Sequence, residues 1–368
     1  MRAGEALLEV RDLRISKGGA DILDVPALTV AAGETLSLIG PNGAGKSTLL
    51  LALSGIEPPA AGELLFRGDR VPSGPASLAY RRRVAMVFQE PLLFDTTVFE
   101  NVASGLRLRG LAREEIARRV GENLGRFHIA HLADRSARTL SGGEAQRTSL
   151  ARAMAVAPEV LLMDEPFAAL DPQSREELLE DLARTLRETG VTTIFATHDR
   201  TEAQRLADRV AVLADGRLRQ LGTAAEVLRR PADAFVAAFV GVENLLPVTL
   251  WSAVASSGML ARLGKTSLEV GGAAPGMMSG AEGFLCIRPE DVVLAASARG
   301  DDASAGNRFP GQVTSVIPQG PLSKVTVDCG VRIVAAVSGH VARDLALKPG
   351  IAVQVALRPT DLYVIPRA

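Results

Sequence analysis

The stretch Gly40-Pro41-Asn42-Gly43-Ala44-Gly45-Lys46-Ser47-Thr48 follows the apolar run TLSLI and precedes the helical pattern STLLLALSG. A buried strand, a glycine-rich turn and a helix in that order make a phosphate-binding loop. The glycines let backbone N–H groups turn inward around a β-phosphate, which then sits at the positive end of the following helix. Lys46 would neutralise β- and γ-phosphate oxygens, and the Ser47 hydroxyl would ligate Mg²⁺.

Outward from this loop, from Glu5 to about Ala238, short apolar runs (RVAMVFQ, VLLMDEP, TTIFATHD) alternate with longer helical patterns. That alternation predicts a mostly parallel sheet flanked by helices. Strand signals stop between Phe88 and Leu140, where REEIARRVGENLGRF places Ile116, Val120, Leu124 and Phe127 on one helical face. A helical insert of about residues 90–157 is expected, although periodicity alone equally describes a surface helix of the same domain.

A chain of 368 residues is expected to hold two domains. With 47% hydrophobic and 23% charged residues, extended disorder is excluded, and a net charge of -1 gives no general attraction to nucleic acid or anionic lipid. Cys286 and Cys329 are too few for a disulfide framework and lack C-x-x-C spacing, which suggests a reducing compartment. The start MRAGEALLEVRDLRI has no apolar core behind a basic end, and no run of about 20 apolar residues occurs, so a chain that does not itself cross a membrane is expected.

Val160-Leu-Leu-Met-Asp164-Glu165-Pro166 is a buried strand ending in two acids. Adjacent carboxylates there would be costly unless a cation or a reaction used them. Asp164 is assigned to Mg²⁺, directly or through water, and Glu165 to polarising an attacking water. His128 and His131 are three apart, but no third ligand completes a metal site, so they are read as surface or packing residues.

Leu140-Ser141-Gly142-Gly143-Glu144-Ala145-Gln146-Arg147, together with the loop and the acidic pair, resembles the ATP-binding cassette ATPases that drive ABC transporters. Gln89 in VFQEP matches that family's Q-loop, Ala169-Leu170-Asp171 its D-loop and His198 in ATHD its switch histidine. The resemblance covers residues 5–238 and implies an α/β P-loop NTPase cassette with a helical subdomain. It implies ATP bound by residues 40–48, with Gln89 also near Mg²⁺ and His198 placing the water and Glu165. Ser141 and Gly143 would meet the γ-phosphate held by an opposite subunit, with Asp171 nearby, so a second copy of the chain in a homodimer, or a related subunit, is implied. The stretch ISKGGADIL has Lys17 where the family usually has an adenine-stacking aromatic. Hydrolysis would power an integral membrane permease and, through it, an external substrate-binding protein, from the cytoplasmic face of the membrane.

Residues 243–368 change texture, with Gly, Ser and Val in short alternating runs that predict a small all-β barrel or sandwich. GFLCIRPEDVVL around Arg288 and VQVALRPTDLYVI around Arg358 share a strand, Arg-Pro-x-Asp and a second strand, so two β half-units are expected. The stretch 298–307 between them reads as a polar loop. Eleven Lys or Arg against ten Asp or Glu argue against a nucleic-acid clamp. The region resembles the OB/TOBE or Mop-like β domains of ABC importer ATPases, most of all those for tungstate or molybdate. Iron(III), sulfate and polyamine importers are the alternatives, and a soluble non-transport ABC ATPase is a further one. The Mop likeness implies an oxyanion site, with Ser338, Thr360 and Lys324 as candidates, although Gly306 stands where that pattern usually has Arg.

Overall fold

Strands covered on both faces must be apolar along their whole length, and Thr35–Ile39, Val160–Asp164 and Thr192–Thr197 are buried throughout except for Asp164, which is half-buried at the strand end. The computed structural model of the protein describes residues 5–254, 258–264, 266–296 and 306–367. These fall into two compact units, divided between Ala224 and Ala225.

In the first unit the chain runs β1 (Ala6–Lys17), β2 (Ala20–Ala31), β3 (Thr35–Ile39), α1 (Lys46–Leu53), β4 (Ala61–Phe66), β5 (Asp69–Arg70), α2 (Leu78–Arg81) and β6 (Val84–Val87). Three helices follow, α3 (Val98–Leu108), α4 (Arg113–Arg126) and α5 (Gly142–Ala155). Then come β7 (Val160–Asp164), α6 (Pro172–Thr189), β8 (Thr192–Thr197), α7 (Arg200–Leu206), β9 (Arg209–Ala214) and β10 (Arg217–Thr223). One ten-stranded sheet has the order β5-β4-β1-β2-β10-β9-β3-β8-β7-β6.

Its half from β9 to β6 is parallel, and its register places the chemistry. Ile39 pairs with Thr197 and Asp164 with Ala196. The residues that follow those strand ends, Gly40, His198 and Glu165, therefore emerge together at one sheet edge, where open α/β sheets bind ligands. The helical segment is real. Ile116, Val120, Leu124 and Phe127 are all buried, in a cluster shared with Val98, Val102 and Leu106 of α3 and Leu150 of α5. The helix α4 packs on α3 and α5, and the apolar cluster they form continues into Val87, Leu161, Met163 and Phe195 of the sheet, so the helical segment shares a core with the strands.

The second unit begins with α8 (Ala224–Arg229) and α9 (Ala234–Phe239), so the compact boundary falls earlier in the chain than residue 238. The Arg288 guanidinium donates to the Leu228 carbonyl and ties α8 to this unit. The strands are β11 (Asn244–Val254), β12 (Gly258–Leu263), β13 (Thr266–Val270), β14 (Gly272–Ala273), β15 (Glu282–Ile287), β16 (Val293–Ala296), β17 (Asn307–Gln319), β18 (Leu322–Asp328) and β19 (Arg332–Ser338). After α10 (Gly339–Asp344) come β20 (Ala352–Leu357) and β21 (Tyr363–Pro366). They form a six-stranded sheet, β13-β12-β11-β15-β21-β14, and a five-stranded sheet, β16-β20-β17-β18-β19, around one apolar core. Of the expected polar loop, residues 298–305 lie outside the described residues.

The two Arg-Pro-x-Asp stretches adopt one local structure. Each is a single 3₁₀ turn in which the Asp N–H donates to the Arg carbonyl, at 3.1 Å for Asp291 and 3.0 Å for Asp361. Proline suits the first position of such a turn because its missing N–H is not needed there. Each turn carries the chain between the sheets, from β15 to β16 and from β20 to β21.

Candidate functional site

Gly40 leaves β3 where a Cβ would stand 2.2 Å from the Leu213 carbonyl oxygen, so only glycine passes this point. Gly45 (φ 98°) ends the loop in the left-handed region and precedes α1 without a side-chain cap. The first turn of α1, Lys46, Ser47 and Thr48, thus directs N–H groups without intrahelical acceptors toward the loop. Pro41 accepts from the Ala44 N–H at 3.2 Å, which holds Asn42 and Gly43 in the turn.

The Lys46 side chain is buried, and its ammonium donates to the Gly40 carbonyl at 2.9 Å and the Pro41 carbonyl at 3.1 Å. Burial lowers its pKa, while the charges of Glu165 and Asp164 act in the opposite sense. Asp164 shows the complementary balance. Burial raises its pKa, a hydrogen bond from the Ser47 hydroxyl lowers it, the neighbouring Glu165 charge raises it and Lys46 lowers it. A desolvated cation, a hydroxyl and two carboxylates at a helix N-terminus fit a phosphate chain with its divalent cation.

Glu165 has a positive φ of 44°, uncommon for a residue with a Cβ, and its N–H donates to the Ala196 carbonyl at 3.0 Å. That bond turns its carboxylate toward β8, where Oε2 lies 3.2 Å from His198 Nδ1. Gln89 is exposed just beyond β6, two residues after Val87, which pairs with Met163. The segment after it is anchored by Asn101, whose amide exchanges hydrogen bonds with Phe94, and by Arg152, which donates to the Leu92 carbonyl at 2.7 Å. Leu92 and Phe94 remain 59% exposed there.

Ser141 and Gly143 open α5, and Asp171 caps α6. The Ser141 hydroxyl accepts from Glu144 N–H while Ser141 N–H donates to Glu144 Oε2 at 2.7 Å, a capping box. Glu144 is not among the residues singled out from the sequence, although Ser-x-x-Glu is the signature of that box. Asp171 accepts from the N–H groups of Gln173 and Ser174, both at 3.1 Å. A Cβ on Gly142 would stand 3.6 Å from the Ala169 carbonyl oxygen, so the two segments lie against each other.

The remaining candidates have structural partners. Lys17 pairs with Glu57 at 3.1 Å. His128 Nε2 is 3.2 Å from Asp181 Oδ1, in a cluster with Arg147 and Arg184. In the second unit Ser338 caps α10, Lys324 pairs with Glu243 and the Thr360 hydroxyl reaches Asp361 at 3.4 Å. Ser338 and Lys324 lie on neighbouring strands, whereas Thr360 lies against Gly271 beyond β13, so the structure separates it from the other two. A Cβ on Gly306 would already be 3.1 Å from Pro359 Cγ, which explains a small residue at this place.

The fold, the loop and the acidic strand end define a nucleotide-hydrolysing cassette, and comparison with known proteins gives its family. A profile described as ABC transporter matches residues 23–168, and one described as TOBE domain matches residues 285–365. The chain is 36% identical over 339 residues to the molybdate/tungstate import ATP-binding protein WtpC of Pyrococcus horikoshii, covering 92% of this chain and 94% of that one. It is 41% identical over 325 residues to the sulfate/thiosulfate import ATP-binding protein CysA of Bradyrhizobium diazoefficiens, covering 87% and 89%. It is 36% identical over 363 residues to the Fe(3+) ions import ATP-binding protein FbpC of Streptomyces avermitilis, covering 98% of both. The solved structure of cbiO1 from Clostridium perfringens, part of the ABC transporter complex cbiONQ, superimposes with a TM-score of 0.58 at 32% identity, covering 65% of this chain and 96% of that one. The chain belongs to the ABC transporter family of ATP-binding proteins. Within it, the chain is the ATPase subunit of an importer and carries a C-terminal TOBE domain. Among the described residues no helix is long and apolar enough to cross a membrane, and the family implies a membrane permease as partner.

Proposed function

We propose that the edge formed by Lys46, Asp164, Glu165 and His198 hydrolyses ATP and that two copies of the chain complete each site. The convergence of these four residues after registered parallel strands carries the reading. Residues 40–48 hold the phosphates through backbone N–H groups, and Lys46 leaves the Gly40 and Pro41 carbonyls to meet them. Ser47, Asp164 and Gln89 would hold Mg²⁺, which supplies charge neutralisation on phosphate oxygens. Glu165 takes the proton of the attacking water, and His198 fixes the orientation of that carboxylate. Ser141, Gly143 and Asp171 lie at a second helix-terminal surface of the same chain, which supports their meeting the nucleotide of an opposite copy.

The cargo we propose is an oxyanion such as tungstate or molybdate, delivered by an external binding protein through the permease at the cytoplasmic face. The WtpC relative, matched along nearly its whole length, supports it. Sulfate, iron(III) and polyamine remain the competing cargoes, since relatives named for each align as extensively. Exposed Leu92 and Phe94 beside Gln89 support the permease contact at this edge. The test is ATP turnover of the chain assembled with its permease and binding protein. Stimulation by molybdate or tungstate over sulfate, iron(III) and spermidine supports the cargo, and stimulation by one of the others replaces it. Absence of ATP hydrolysis by the assembled complex rejects the catalytic reading.

A further inference from the structure

The turn that presents His198 is held by a charged network centred on Arg175 and Glu202, neither of which belongs to the motifs above. Arg175 lies on the first turn of α6, where its N–H donates to the Asp171 carbonyl at 2.9 Å. Its guanidinium reaches across to α7 and the end of β8. Nε donates to Glu202 Oε1 at 2.8 Å, and Nη2 donates to Asp199 Oδ2 at 2.8 Å and also to Glu202 Oε1. The other oxygen of Glu202 accepts from the Thr197 hydroxyl, and that hydroxyl accepts from Asp199 N–H at 3.0 Å. Both chain neighbours of His198, Thr197 and Asp199, are therefore fixed through Glu202 and Arg175.

The chemistry of these groups makes the tie stiff. Glu202 is only 4% exposed, and its carboxylate is compensated by Arg175 and Thr197. Burial raises the Asp199 pKa, but the Thr201 N–H and the Arg175 charge outweigh it and hold the carboxyl below its ordinary range. A guanidinium spans two carboxylates with a planar fork, which an ammonium cannot do. The same arginine stands one turn after Asp171, on the helix that this aspartate caps.

We infer that Arg175 is a positioning residue for hydrolysis, locking the His198 turn to the first turn of α6 so that His198 is held in alignment with Glu165. The inference rests on the role given above to His198 and Glu165. Arg175 acts through Glu202, Asp199 and Thr197, the groups its guanidinium reaches directly or through Glu202.

The experiment is steady-state ATP hydrolysis by the full-length chain in four forms: parental, Arg175→Ala, His198→Ala and the double variant. Arg175→Ala should lower kcat by about tenfold or more while KM for ATP stays within about twofold, since misplacing a catalytic group affects the step rather than binding. In the His198→Ala background the further loss should shrink to less than about twofold, because there is no longer a histidine to position. Arg175→Lys should recover part of kcat. An equal fold-loss in both backgrounds, an unchanged kcat, or a loss confined to KM overturns the inference while leaving the site intact. Unchanged turnover in His198→Ala alone overturns the underlying reading and the inference with it. If Arg175→Ala does not fold, Glu202→Gln, which keeps the buried shape and removes the charge, takes its place under the same criteria.

Discussion

His198 Nδ1 lies 3.2 Å from Glu165 Oε2, although 33 positions separate the two residues. The contact exists because β7 and β8 are neighbours in register and because the positive φ of Glu165 turns its side chain toward β8. Glu165→Gln keeps the size and the backbone geometry but cannot take a proton. Turnover should fall by about 10²–10⁴-fold with ATP affinity retained, the magnitude of a lost general base. Size-exclusion chromatography with ATP and Mg²⁺ should show the variant held as a dimer; hydrolysis at the parental rate would remove Glu165 from this role.

Lys46→Ala should lose ATP binding itself. The side chain is buried, contacts two loop carbonyls and stands beside two carboxylates, so its ammonium is the charge placed to meet a phosphate in the loop. Calorimetric titration with a non-hydrolysable ATP analogue should show no saturable heat, whereas parental binding would show that backbone N–H groups suffice.

The capping box should be measurable in stability and in its response to acid. Ser141→Ala removes the acceptor for Glu144 N–H and should cost about 1 kcal/mol in chemical denaturation. The Ser141 N–H hydrogen bond lowers the Glu144 pKa below its ordinary value of 4.5, so its contribution is present above that pH and is lost as pH falls through the lowered value. The stability gap between Glu144→Gln and the parent should therefore close on acidification from neutral pH.

Both thiols should be inert in the folded protein. Burial pushes Cys286 up to about 12, and burial together with the adjacent Asp328 charge pushes Cys329 up to about 11. Iodoacetamide at pH 8 should label neither until the chain is unfolded, as counted by mass spectrometry. Because the folded values lie above the ordinary 9.0, this stabilisation is complete below pH 9 and is lost as pH rises toward the folded values.

Asn244 joins strands of the two β sheets. Its amide donates to the Ile287 carbonyl at 3.2 Å and the Val334 carbonyl at 2.9 Å and accepts from Val334 N–H at 2.7 Å, all out of contact with water. Asn244→Ala leaves a buried backbone N–H and carbonyls without these partners, at about 1–3 kcal/mol. Thermal unfolding of the full chain should show a lower Tm with ATP turnover retained at 25 °C.

Local chain order was enough to read much of this protein. The phosphate loop needs a strand, glycines at set intervals and a helix within a few residues, and all of these are neighbours in sequence. The fully buried runs of β3, β7 and β8, the apolar face of α4 and the repeated Arg-Pro turns were legible for the same reason, since period and spacing are local properties. What those elements do together was decided by tertiary structure. Strand order sets which loops meet, and no local signal states that β3, β8 and β7 are consecutive in the sheet, so Glu165 facing His198 could only be expected from a resemblance. Arg175 and Glu202 carry no motif, and their tie to Asp199 became visible only when α6 packed beside α7. The grouping of α8 with the second unit includes a contact from Arg288 to Leu228, sixty residues away. Such contacts are selected by the burial of whole faces against one another, and that information resides in the assembled core rather than in any single stretch of the chain.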